Sequence, residues 1–187
     1  ADPSGQPTGT WRDPAGANAP ENALVGSQYV GDNDYNDFPM VVTAAEGQHR
    51  AWRHTSLANM APSTSQTFGT NLVGWEWNDR AANGQEPPGV SSIFSAPVNG
   101  NILQDSGRVY AQGNATGTGT YYKAASGAVV FSTSTNNWSL GLALNGFGEG
   151  EPNTFIKQAT VNVLDDMGVT PTTVEPGLVV DPTGAPQ

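Results

Sequence analysis

A β-hairpin is predicted by GTYYKAASGAVVFST, residues 119–133, and this stretch decides the fold. Two segments rich in aromatic and β-branched residues flank Ala125-Ser126-Gly127, a run of small residues typical of a turn. The returning segment contains Val129, Val130 and Phe131 in succession, and such an apolar run is typical of a strand covered on both faces. The stretch therefore predicts two antiparallel strands, the second buried on both sides.

Downstream of the hairpin, the sequence predicts one long helix. Asn153 or Thr154 can cap its first turn, and Gly168 can end it. Asp165 and Asp166 would lie in the last turn, where the helix dipole disfavours negative charge, so we expect packing to hold that end. Apolar residues recur at helical spacing at Phe155, Ile156, Ala159, Val163 and Met167.

Upstream of the hairpin, alternating patterns predict further strands at 38–45, 48–55, 71–78 and 91–98. In the second of these, after a turn at Glu46-Gly47, alternation places Arg50, Trp52 and His54 on one face. His49 falls on the other face, so we expect no joint metal site from the two histidines.

These elements predict an α+β, β-rich fold, mostly antiparallel, with one C-terminal helix. We expect a single domain over residues 23–169, between an arm or linker at 1–22 and a tail rich in Pro, Gly and Thr at 170–187. Trp11 is the exception in the arm, since a tryptophan in a loose segment indicates a docking contact, which we expect to form with a neighbouring chain.

Composition excludes several classes of function. The chain has 187 residues, no cysteine and a net charge of −10, which disfavours binding to nucleic acid and anionic lipid and excludes disulfides and thiolate chemistry. No apolar stretch is long enough to span a membrane. Low Lys with abundant Gly, Asn, Ser and Thr favours a secreted, extracellular or cell-surface protein. The chain starts at Ala1 without Met, which suggests that an upstream segment was removed.

An acidic loop is the candidate cation site. Asp32, Asp34, Asn36 and Asp37 place hard oxygen ligands within six residues, as calcium prefers, and no other cofactor is indicated. The loop lacks the glycine and the glutamate of a complete calcium loop, Thr43 standing where the glutamate would be. The alternative is a solvated turn before the strand at 38–45.

Tryptophans provide the candidate ligand-binding residues. Trp75 and Trp77 would share one strand face and could stack against sugar rings beside Trp138, although tryptophans in strands are more often core residues. Glu76, between them and pointing the other way, is the candidate inward carboxylate, with Arg53 or Arg80 as an ordinary ion-pair partner in the alternative interpretation. The hydroxyls of residues 132–135 have no associated histidine or nucleophile motif, so no serine-hydrolase triad is supported.

Several phrases resemble one family, in order and over roughly residues 8–169. This is the C-terminal domain of the N,N-dimethylformamidase large (beta) subunit, which also occurs in secreted bacterial multidomain proteins. The phrases that carry the resemblance are GTWRDP (9–14), PENALVG (20–26), RAWRHTS (50–56), LVGWEW (72–77), YKAASGAVVF (122–131), NWSLGL (137–142) and ATVNVL (159–164).

The resemblance implies a hydrolase of formamides that holds a single iron through tyrosines and a glutamate. That glutamate belongs to a His-Asp-Glu-Tyr-Trp stretch, which does not occur in this chain, so the resemblance assigns no iron ligand here. It further implies that the chain supplies the latter part of a glutamine-amidotransferase-like α/β sheet, with 129–132 as its last strand and 154–167 as its last helix. Half a sheet would leave open edges, which the chain must cover with its own strands or with a partner.

Three functions remain open from the sequence. The first is a non-catalytic extracellular module for assembly or for surface and glycan contacts, most simply a homo-oligomer or a complex formed through the arm and an open sheet edge. The second is a fragment or subunit of an iron-dependent amidohydrolase whose metal-binding half lies elsewhere. The third is a carbohydrate-binding module.

Overall fold

The computed structural model describes residues 11–33 and 36–181, and it is built mainly from antiparallel strands. The strands are β1 (Gln28–Asp32), β2 (Phe38–Thr43), β3 (Ser65–Val73), β4 (Glu76–Asp79), β5 (Ser91–Gln104), β6 (Val109–Lys123) and β7 (Val129–Ser132). The helices are α1 (Asn22–Val25), α2 (Ala44–Gly47) and α3 (Thr154–Asp166). A five-stranded sheet has the order β4-β1-β5-β6-β7, and β2 and β3 form a separate two-stranded sheet. The predicted β-rich fold class with one long C-terminal helix is confirmed.

The deciding hairpin forms as the sequence predicts, with Thr120 opposite Ser132 and Lys123 opposite Val129. The prediction that its second strand is covered on both faces is wrong. All four residues of β7 are only half-buried, because β7 is the last strand of the sheet rather than an inner one.

The sheet is centred on a longer hairpin of β5 and β6, paired from Ser91 and Tyr121 to Gln104 and Val109. Its turn is Asp105–Gly107, and all three of these residues have positive φ. The sequence predicted only the first half of β5, because Asn99-Gly100-Asn101 interrupts the strand pattern in the second half.

The two edge strands of the sheet meet through the chain itself. Trp77 in β4 forms an isolated antiparallel bridge with Thr135, just beyond β7, and the Asn78 amide donates to the Ser134 carbonyl (3.0 Å). Buried strand edges need such partners, since unpaired backbone groups are costly. The edge of β4 is therefore covered by the chain itself, through the segment that follows β7.

The β2–β3 sheet and α3 form a second layer over the five-stranded sheet. Trp52, completely buried between the layers, donates its indole N–H to the Ile93 carbonyl (2.7 Å). Along α3, Ile156, Ala159 and Val163 face this core as predicted, whereas Met167 lies beyond the helix and is exposed.

The start of α3 is capped by Asn153, whose side chain accepts from the Phe155 amide (2.9 Å). Its acidic end is held by a buried ion-pair cluster around Asp166. Arg50 binds both carboxylate oxygens of Asp166 (2.7 and 2.5 Å), Arg53 approaches one of them (3.2 Å), and the Tyr121 hydroxyl donates to the other (2.8 Å). We expected packing to hold this unfavourable helix end, but the structure holds it through ion pairs and a hydrogen bond to Asp166 as well.

The prediction of a strand at residues 48–55 is wrong. Thr43 and Glu46 form a capping box that starts α2, and the chain continues into a 3₁₀ turn at Arg50–Trp52. The predicted strand at 38–45 accordingly ends at Thr43. The two histidines therefore do not alternate across a strand: His49 caps the 3₁₀ turn, accepting from the Ala51 amide (3.2 Å).

The strand predicted at 71–78 is two strands, because the chain breaks between β3 and β4 at Gly74 and Trp75. A Cβ on Gly74 would lie 2.2 Å from the side chain of Asn137, so only glycine fits there. The Gly74 amide donates to the Thr135 hydroxyl (2.8 Å), which fixes the break against the loop after β7.

Candidate functional site

Of the predicted ligand-binding residues, the structure exposes Trp75 and Glu76 and buries the other two. Trp77 and Trp138 belong to the hydrophobic core, with Trp77 stacked edge-on against Phe38. Because the chain breaks before β4, Trp75 and Trp77 do not share a face, and the predicted stacking ridge is not formed. Trp75 is 41% exposed at the break.

Glu76 is an exposed carboxylate rather than an inward one. It lines a pocket of about 270 Å³ that also contains the hydroxyls of residues 132–135. Neither arginine considered as its partner binds it: Arg80 pairs with Glu86 (2.7 and 2.5 Å), and Arg53 pairs with Asp166 and Asp181.

Trp75 lines a second pocket, which we call the Trp75 pocket, with a volume of about 340 Å³. Asp37 enters it from the segment before β2, and Asn137 enters from the loop after β7. The Asn137 side chain donates to the Asn71 carbonyl (2.9 Å), which holds this wall against the end of β3. The remaining lining residues include Leu140 and Glu149.

Asp37 is the unusual group of the Trp75 pocket. One of its carboxylate oxygens is buried and has no hydrogen-bond partner among residues 11–33 and 36–181. Burial raises the pKa of Asp37, and this effect outweighs hydrogen bonds from the Asn137 side chain and the Trp75 backbone, which lower it. The pocket thus contains a desolvated carboxylate beside an exposed indole.

The members of the predicted calcium loop point to different neighbours. The Asp32 carboxylate accepts from the Tyr29 hydroxyl (3.1 Å), Asn36 donates within its own loop (2.8 Å), and Asp37 faces the Trp75 pocket. Asp34 lies outside the described residues. Calcium binding therefore stays a prediction.

No group of three or more His, Asp or Glu side chains in residues 11–33 and 36–181 is arranged to hold a metal ion. In the same part of the chain, no helix has the length and apolar character needed to cross a bilayer.

The described part of the predicted arm is folded. Residues 11–19 form a loop, which we call the arm loop, closed by a hydrogen bond from the Ala19 amide to the Trp11 carbonyl (2.7 Å). Asp13 stabilises the loop from inside, accepting from the Ala15 amide (2.9 Å) and forming an ion pair with Arg108 at the end of the β5–β6 hairpin. These two contacts hold the pKa of the Asp13 carboxyl below its usual range.

A second set of contacts ties the arm loop to β1. The Arg12 guanidinium donates to the Tyr29 carbonyl (2.8 Å) and forms an ion pair with Glu21. Glu21 also accepts from the Tyr29 amide (3.4 Å). The arm loop is therefore attached to both β1 and the β5–β6 hairpin, which fixes Trp11 at the surface.

Between the arm loop, α1 and the end of the β5–β6 hairpin lies a groove of about 810 Å³, which we call the arm groove. Two of its side chains are strongly exposed: Trp11 at 74% and Leu24 at 72%. Burial raises the pKa of Tyr29 and hydrogen bonds to Tyr110 and Asp32 add to the effect, so the phenol is neutral. The lining is mainly apolar and includes Trp11, Pro20, Leu24, Tyr29, Leu103 and Tyr110.

The arm groove could not be found from local sequence patterns. It depends on the ion pair of Asp13 with Arg108, which lies far along the chain. The signal that the sequence did contain was Trp11 itself, in a segment otherwise typical of a linker.

A comparison with models of protein families gives a match that covers most of the chain. The family model described as "N,N-dimethylformamidase beta subunit-like, C-terminal" matches residues 1–153, which include the arm loop, the whole five-stranded sheet and the Trp75 pocket. None of the curated proteins matches the chain.

Proposed function

We propose, from the premise that the chain belongs to the N,N-dimethylformamidase beta subunit-like C-terminal family, that it is a non-catalytic docking module of a larger extracellular protein assembly. The family's name is that of a subunit, which supports assembly with other chains. The observation that carries the proposal is the arm groove. Its exposed apolar residues are part of the family domain rather than of a linker.

The arm groove has the chemistry of a protein interface. Interfaces are enriched in Trp, Tyr and Arg at their centres and depleted of unpaired charge, and contiguous exposed apolar surface marks a contact site. Trp11 and Tyr110 supply the aromatic groups, and the Arg12–Glu21 pair at the rim is internally neutralised. The chain's net charge of −10 is thus not concentrated at this surface.

The partner that we assign to the groove is a second copy of this chain. A two-fold interface requires one surface to supply both the protruding and the receiving groups. The arm groove meets this condition, since Trp11 and Leu24 protrude beside a cavity lined by Leu103 and Tyr110. A second copy can therefore insert its Trp11 or Leu24 into the groove of the first, while its own groove receives the same residues from the first copy.

Sedimentation equilibrium of the purified chain over a wide concentration range tests this proposal. We expect a reversible dimer that Trp11→Ala weakens by about 30-fold or more, since central interface tryptophans contribute about 2 kcal/mol or more. Phe147→Ala is the matched control, because Phe147 is 90% exposed outside the arm groove. A wild-type chain that stays monomeric at all concentrations, or a dimer equally weakened by the control, would refute the assignment.

The family match favours a second candidate, a subunit of a formamide hydrolase whose metal-binding residues lie in another chain or segment. In this case the arm groove would contact the catalytic part. Formamide hydrolysis by the complete assembly, reduced by Trp11→Ala and restored at high chain concentration, would support this candidate over a self-associating module.

A further inference from the structure

Among the described residues, the lining of the Trp75 pocket includes carboxylates but no cationic side chain. Asp37 and Glu149 both line the pocket, and no Lys, Arg or His does. Six of the seven Lys and Arg residues form ion pairs with carboxylates outside this pocket. Lys123, the seventh, lies at the end of β6 and is not among the lining residues.

The hydrogen-bonding groups of the pocket are mainly acceptors. The Asn137 amide group, the obvious donor, is already used, since it donates to the Asn71 carbonyl (2.9 Å) and to Asp37. One Asp37 oxygen is buried without a partner among the described residues, so the charge of this carboxylate is poorly solvated. A ligand that complements this wall must bring donors, and an anion would be repelled by the two carboxylates.

One wall of the Trp75 pocket is aromatic. Trp75 is 41% exposed where β3 breaks into β4. Tryptophan is the aromatic residue that attracts cations most strongly through its ring face, and the attraction increases when the site is partly desolvated. The conformation of Trp75 is fixed from the backbone side, because its carbonyl accepts from the Asn33 amide (2.9 Å).

We propose that the Trp75 pocket binds a small organic cation, an alkylammonium or guanidinium group that stacks on the Trp75 indole and faces the carboxylates of Asp37 and Glu149. The volume of about 340 Å³ is at the lower end of ligand pockets, which fits one such group with its aliphatic stem. The cation is either a free amine or the side chain of a lysine or arginine on another protein. This site is separate from the arm groove and does not depend on the docking proposed there.

Calorimetric titration with butylammonium chloride at low ionic strength tests the proposal. We expect saturable binding that added salt weakens and that 1-butanol, the neutral analogue, does not reproduce. A capped lysine, acetylated and amidated at its backbone, distinguishes the sources: tighter binding than butylammonium indicates a protein side chain, and equal binding indicates a free amine.

Two variants connect binding to the pocket. Asp37→Asn preserves shape and removes one charge, so we expect it to fold and to weaken butylammonium binding about tenfold or more. Trp75→Leu should weaken it by about 3- to 30-fold. Glu76→Gln is the matched control, because Glu76 neighbours Trp75 in sequence but lines the other pocket, and it should bind as the wild type does. Circular dichroism spectra confirm that each variant is folded.

The proposal is overturned if the wild type shows no saturable binding of butylammonium, or if Asp37→Asn binds it equally well. It is also overturned if only a neutral methyl glucoside or calcium chloride binds, since the pocket would then recognise hydroxyl groups or a hard metal ion. A monomeric chain that still binds butylammonium would refute dimerisation through the arm groove and leave this site intact.

Discussion

Substitution of Asp166 by asparagine should strongly destabilise the fold, because Asp166 joins three parts of the chain. Its carboxylate, at the end of α3, binds Arg50 of the 3₁₀ turn, Arg53 just after that turn, and Tyr121 of β6. The Asp166 side chain is only 2% exposed, whereas those of Arg50 and Arg53 are 34% and 20% exposed.

The magnitude follows from this burial. Removing one partner of a fully buried ion pair costs about 3–5 kcal/mol, because the remaining charge is left without compensation. Water can partly solvate Arg50 and Arg53 in the variant, so we expect the free energy of unfolding to fall by about 2–3 kcal/mol. For a chain of this length, that loss lowers Tm by about 4–12 °C.

Urea unfolding followed by circular dichroism measures this loss. Glu175→Gln is the matched control: Glu175 pairs with Lys157 on an exposed surface (2.6 Å) and should change stability by less than about 0.5 kcal/mol. A loss for Asp166→Asn that is no larger than the control's would show that the cluster is not important for stability. The reasoning from burial would then be wrong.

Two further predictions concern local structure. Burial lowers the pKa of His49, so the unfolded chain binds the proton more readily and the free energy of unfolding should fall as the pH drops below about 6.5. Urea midpoints measured at several pH values should show this pH dependence in the wild type and lose it in His49→Gln. A pH profile that the substitution leaves unchanged would contradict the prediction. Gly74→Ala should lower the free energy of unfolding by about 1–3 kcal/mol, measured by thermal unfolding, because the new Cβ overlaps Asn137. Gly146→Ala is the control and should leave stability nearly unchanged, because no atom lies within 4 Å of a Cβ at that position. Equal effects of the two substitutions would contradict the close packing at the break.

Local signals in the sequence were sufficient for the hairpin at residues 119–133 and for α3, but not for the first part of β6, residues 109–118. Both elements have strong periodicity and end in residues that turn or cap the chain, such as Gly127 and Asn153. Such elements are decided mainly by neighbours in sequence, and the antiparallel, β-rich fold class follows from them.

The error at residues 48–55 occurred because a local capping signal and a tertiary contact together outweigh periodicity. Residues 48–55 alternate like a strand, but the capping box of Thr43 and Glu46 starts a helical turn, and Trp52 is buried by its contact with Ile93. The capping box was visible in the sequence as a Thr followed three residues later by Glu.

The candidate sites were only partly predictable. Trp75 and Asp37 were both identified as candidate binding residues, but for separate sites, and their meeting in one pocket depends on the break at Gly74. Trp11 was identified as a docking residue, whereas the groove around it depends on the distant pairing of Asp13 with Arg108. Pairing over such a separation leaves no local pattern.

The central claim, that the arm groove binds a second copy of this chain, is tested most directly by site-specific cross-linking. The chain has no cysteine, so Leu24→Cys introduces a single thiol at the groove, and Phe147→Cys introduces one outside it. With a photoreactive label on the thiol, we predict a covalent dimer from the Leu24→Cys chain that is suppressed by Trp11→Ala, and little from the Phe147→Cys chain. Equal yields from both positions, or none from the groove position, would contradict the claim.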